Sequence, residues 1–195
     1  MTPDEEVVAR QIGRRPRGMV RVEARCAYGY PTVVAVDPLV PRRGGKEGLE
    51  PFPTRFWLTC PILVEQISRL EASGLVGRLE GEVAQDPVLA ARVQRDHARY
   101  AEERHGALDP EGLKTAALEG AEGVLRDSGI GGVRDLRHMK CLHAHYAFHL
   151  ARKGTVGGIL DTRYAPRECT PDEVRCALSG VKPAAAVPHE IPPRP

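Results

Sequence analysis

The sequence predicts an α+β fold, with a small antiparallel hairpin or sheet in the N-terminal third packed on a mostly helical remainder. Three observations carry that reading. Residues 20–36 hold an alternating segment and a β-branched one on either side of a glycine turn. Proline-opened segments then recur at Cys60-Pro61, Asp86-Pro87 and Asp109-Pro110, each followed by a helical pattern. Hydrophobic residues make up 42% of the chain but aromatic ones only 5%, so aliphatic side chains must fill the interior.

Thr2-Pro3-Asp4-Glu5 is a capping box with proline at the first helical position, and Val7, Val8 and Ile12 give a short amphipathic helix stopped by Gly13. Arg14, Arg15 and Arg17 follow around Pro16 as a solvated basic elbow. Val20, Val22, Ala24 and Cys26 alternate with charged residues, the signature of a half-buried strand. Tyr28-Gly29-Tyr30-Pro31 turns the chain, and Thr32 to Val36 is its hairpin partner. Residues 38–53 are rich in proline and glycine and read as a surface loop. The segment Phe52 to Pro61 holds two of the three phenylalanines and the only tryptophan, which marks a buried strand.

A helix follows from Pro61, with Ile62, Leu63, Ile67 and Leu70 as its apolar face and Gly74 as its stop. Cys60 stands at its N-terminus, where unpaired amides favour a thiolate. Two scaffold helices are expected from Asp86-Pro87 to about Arg104 and from Asp109-Pro110 to about Arg126. Gly129-Ile130-Gly131-Gly132 is a structural connector, and a central helix is expected from near Val133 to near Gly154. Residues 1–165 form one α+β domain on this reading. A second capping box at Thr170 to Glu173 opens a short C-terminal helix within 166–182, and 183–195 is a disordered tail rich in proline and alanine.

Basic residues number 28 and acidic ones 26, so no global field argues for nucleic acid. No stretch is long and apolar enough for a membrane span, and the acidic, helical N-terminus is unlike a secretion signal. Five cysteines without such a signal fit free thiols or metal ligands in a cytoplasmic protein better than a disulfide framework.

The chemistry concentrates between His138 and His149, which hold four of the seven histidines and Cys141. At about 100° per residue, Cys141, His145 and His149 share one sector of the expected helix, and His143 points elsewhere.

PFPTRFWLTCP (Pro51 to Pro61), GIGG (Gly129 to Gly132) and KCLHAH (Lys140 to His145) resemble the bacterial domain-of-unknown-function family 501. The earlier QIGRRPRG and EARCAYGYP are similar to its opening, so the resemblance spans roughly residues 11 to 160. It implies no activity and no cofactor. It does include Cys26, Cys60 and Cys141, and leaves out Cys169 and Cys176.

Those three cysteines with His145 make a Cys₃His set, a familiar zinc complement, with His143 as a nearby acid/base group or alternative ligand. Metal-assisted hydrolysis is the reaction class expected of such a site. An iron–sulfur cluster is the alternative for soft thiolates, although no CxxC spacing supports it. A metal-free enzyme would use Cys60 as nucleophile with His143 or His145 as general base. A non-enzymatic protein would use metal or buried thiols only to pin the hairpin, with the helix from Val88 to Arg104 and the basic elbow as partner surfaces. No specific partner is legible. Each thiol taken alone is better explained by packing than by ligation.

Overall fold

The computed structural model describes residues 1–45, 47–177, 180, 183 and 184. The first element is helix α1 (Pro3–Gln11), closed by a full capping box in which Thr2 accepts the Glu5 amide and the Glu5 side chain accepts the Thr2 amide. Three strands, β1 (Met19–Arg25), β2 (Pro31–Val36) and, later in the chain, Phe56–Leu58, form an antiparallel sheet with β2 in the centre. Every residue of β2 is buried, because both of its faces are covered. Val33 and Ala35 enter the main core with the helices, while Val34 and Val36 pack with Val8 of α1 and Val40. That two-sided burial explains why Val33 to Val36 are all apolar instead of alternating.

The loop expected over residues 38–53 contains a second, two-stranded sheet, β3 (Leu39–Pro41) and β4 (Leu49–Pro51). Leu39 supplies the reason, since it is buried against Ala116, Ala121 and Leu125 and ties the hairpin to the helices. The Phe56–Leu58 strand is β5, paired with β2 through Val33↔Leu58, Val34↔Trp57 and Ala35↔Phe56.

Helix α2 (Pro61–Ala72) begins at the expected proline. Helix α3 (Leu75–Gln85) has no counterpart among the expected elements, yet Leu75, Leu79 and Val83, four apart, form its buried stripe. Helix α4 (Pro87–His105) is capped by Asp86, which accepts the Val88 and Leu89 amides. The single helix expected after Pro110 is two, α5 (Pro110–Leu118) and α6 (Glu122–Asp127), broken at Gly120, whose φ of +64° no helix accommodates.

The largest correction concerns the central helix. It starts not near Val133 but at Leu142, as α7 (Leu142–Arg152), and α8 (Thr155–Tyr164) follows where only a short apolar run is expected. Gly131 and Gly132 both have positive φ, and a turn closes from His138 to Asp135, so residues 133–141 approach α7 without helical structure. Cys141 therefore caps α7 from an extended conformation. Helix α7 lies between β5, α2 and α8, and from Leu142 to His149 only His143 is not buried.

Among the described residues of the expected C-terminal helix, 166–176 are irregular or turn with one isolated bridge, Thr170 to Glu173. Residues 178, 179, 181 and 182 of that expected helix lie outside the described residues, as does the expected tail beyond Ala184. No helix among the described residues is long and apolar enough to cross a membrane.

Candidate metal centre

Helix α2 packs on α7 near the start of the latter, and three ligand-type side chains converge there. One donor atom each from Glu71, Cys141 and His143 lies within 4.8 Å of the other two, and all three residues are half-buried. Among the described residues no other trio of His, Cys, Asp or Glu meets that condition.

The geometry follows from two helix ends. Cys141, as the N-cap of α7, turns its Sγ back to accept the Ala144 amide at 3.4 Å. Glu71, on the last turn of α2, reaches the same helix start, and its Oε1 accepts the amides of Leu142 and His143. Two acceptors thus satisfy three amides that a helix leaves unpaired.

His143 is held from both sides. Its Nε2 lies 3.2 Å from the Val64 carbonyl and 3.1 Å from Ser68 Oγ, so Nε2 carries a proton to donate to the carbonyl. Its Nδ1 faces Glu71 Oε1 at 3.1 Å. Lone pairs on a neutral Nδ1 and a carboxylate oxygen repel at that distance unless a proton or a cation is shared between them. The adjacent Cys141 and the Glu71 carboxylate, opposed by burial, push the imidazole up to about 9. Without a metal the site is therefore an imidazolium facing a carboxylate.

Cys141 and His143 also line a cavity of about 240 Å³ together with residues of strand β5, and Glu71 is not part of its lining. Phe56, Trp57, Leu58 and Ala144 make most of this lining apolar, and Thr54 and Lys140 are its other polar groups.

Residues 22–161 match the family described as protein of unknown function (DUF501). The chain belongs to that family. No curated protein and no solved structure matches it. The family match contains all three residues of the trio and ends before Cys169 and Cys176.

Of the four ligands expected in this family member, the structure brings only Cys141 to the centre. No three of Cys26, Cys60, Cys141 and His145 have donor atoms within 4.8 Å of one another. Cys26 packs with Tyr28, Tyr30 and Cys176 beyond the end of β1, where burial raises its thiol. Cys60 is 4% exposed in the main core. Burial pushes its thiol up to about 12, so it outweighs the helix N-terminus that is expected to favour a thiolate. His145 is buried against His97, with ring centroids 5.3 Å apart, and burial lowers it to about 3.

His149 is likewise engaged, with Nδ1 at 2.8 Å from the Gly154 carbonyl and Nε2 at 3.0 Å from Asp161. His138 is exposed beside Glu80. His143, expected as a nearby acid/base group or alternative ligand, is the imidazole that joins Cys141. Glu71 is the residue that sequence reasoning misses. Its signal is its spacing, because Leu63, Ile67 and Glu71 are four apart and place a carboxylate where the α2 stripe calls for an aliphatic side chain.

Proposed function

We propose that Glu71, Cys141 and His143 bind one zinc ion whose remaining position faces the cavity, and that the protein is a zinc-dependent hydrolase. The observation that carries this reading is the Nδ1 to Oε1 contact of 3.1 Å beside a thiol, two lone-pair donors turned toward each other with a third at hand. The Val64 carbonyl supports it, since a metal-binding histidine is commonly oriented by a hydrogen bond from its other ring nitrogen.

Sulfur, nitrogen and oxygen donors together suit zinc, and three protein ligands with one free position are the pattern of catalytic sites. Zinc so held lowers the pKa of a coordinated water to about 7. An iron–sulfur cluster is disfavoured because only one thiol stands at the centre. Five free thiols suit a reducing, cytoplasmic setting.

Elemental analysis of the purified full chain is the direct test. One zinc per chain is expected, and Cys141→Ser and Glu71→Gln should each lose it while Cys60→Ser retains it. Cobalt-loaded protein should show a thiolate charge-transfer band that Cys141→Ser abolishes. Metal content that is negligible, or that Cys141→Ser leaves unchanged, sinks the reading.

One observation favours a second reading. The Ala144 amide on Cys141 Sγ and the adjacent His143 also describe a cysteine beside an imidazole, the pairing used by cysteine nucleophiles. Rapid alkylation of Cys141 in protein that takes up neither zinc nor cobalt would favour it.

A further inference from the structure

The cavity beside the trio has a composition that specifies a ligand class. Its inner surface is made by Phe56, Leu58 and Ala144, all buried, and by the half-buried Trp57. No carboxylate lines it among the described residues, and Lys140 is its one permanent cation. Lys140 is exposed and has no ion-pair or hydrogen-bond partner among the described residues.

Apolar walls with one cation at the edge select a molecule that is apolar along its length and negative at one end. The charge count narrows the anion. One lysine can compensate a single charge, whereas a phosphate dianion would call for more donors than these walls offer. The volume of about 240 Å³ limits the ligand to a small molecule or one terminal residue of a longer one.

We propose that this cavity binds a small, largely apolar monocarboxylate, with the acid group at Lys140 and the apolar body against Trp57 and Leu58. The ligand class stands on the cavity alone. Only the placement of a hydrolysable bond toward Cys141 and His143 rests on the zinc reading above.

Trp57 is the only tryptophan of the chain, so its fluorescence reports directly on the cavity. Chelator-treated full-length protein is titrated with 3-phenylpropanoate and with 3-phenylpropan-1-ol, which has nearly the same shape without the charge. A saturable change is expected with the acid, and binding about tenfold tighter than that of the alcohol. Lys140→Ala should remove most of that preference and Lys140→Arg should keep it, with the circular dichroism of both variants unchanged. Equal affinity for acid and alcohol, or a preference that Lys140→Ala leaves intact, overturns the anionic class. The absence of a saturable response to either compound overturns the cavity as a ligand site.

Cobalt loading of the same preparations separates this inference from the zinc reading. Acid selectivity without cobalt binding defeats the metal and leaves the ligand class standing. A cobalt thiolate band without acid selectivity does the reverse.

Discussion

On the zinc reading, a proton and the metal ion would compete for one nitrogen of His143. The imidazole is pushed up to about 9, so at neutral pH the metal-free site holds a proton that a bound zinc would have to displace. Zinc affinity should therefore rise with pH by at least about tenfold per unit between pH 7 and 9, with proton release measurable in weakly buffered calorimetry. A flat profile over that range would contradict the shared position of proton and metal. Glu71 carries two duties at the same point, as acceptor for the α7 amides and as partner of His143. Its carboxylate is legible in the sequence only as an anomaly on an apolar stripe, and nothing local pairs it with a cysteine and a histidine 70 and 72 positions later.

Helices α7 and α8 show how tightly the elements around the centre are set. A Cβ built on Gly157 would lie 2.1 Å from His149 Cβ, so the two helices touch through a position that only glycine allows. Gly157→Ala should lower the urea midpoint by the equivalent of about 2 kcal/mol or more, the usual scale of overpacking. Gly81, inside α3, has a helical backbone and open space where a Cβ would stand, with no neighbouring atom within 4 Å. Gly81→Ala should accordingly raise stability by about 0.5–1 kcal/mol through helix propensity alone. Equal effects of the two substitutions would show that α7 and α8 are not in such close contact.

The same elements explain which boundaries were readable. Thr2, Asp86 and Asp109 each cap a helix through bonds to amides within three residues, so their starts follow from adjacent chemistry. The start of α7 does not. Its first amides are satisfied partly by Glu71, from a distant helix, and no cap signal precedes Leu142 except the cysteine itself.

Over the molecule as a whole, the buried histidine pair governs the response to acid. Burial lowers His97 to about 4 and His145 to about 3, so both stay neutral in the folded protein while the unfolded chain protonates them below 6.5. Stability is then full above about pH 6.5 and falls as pH drops toward 4, at about 1.4 kcal/mol per histidine per pH unit. His143 acts with the opposite sign, since its raised value contributes stability that is lost as pH rises through about 9. Urea midpoints measured from pH 8 to pH 4.5 should show the acid loss, and His97→Asn should reduce its slope. A midpoint that stays constant down to pH 4.5 would be incompatible with a neutral, buried pair.

The sequence by itself determined the fold class, the hairpin, the capped helices, the family and the dense chemistry around Cys141, because periodicity, turns and caps are short-range properties of the chain. It could not determine the destination of each histidine. His143, His145 and His149 occupy one short helix, yet one faces Glu71, one is enclosed beside His97 and one is bonded to Asp161. What decides among those fates is which elements pack on each side of α7, and burial and electrostatics act through space between residues that the chain keeps far apart.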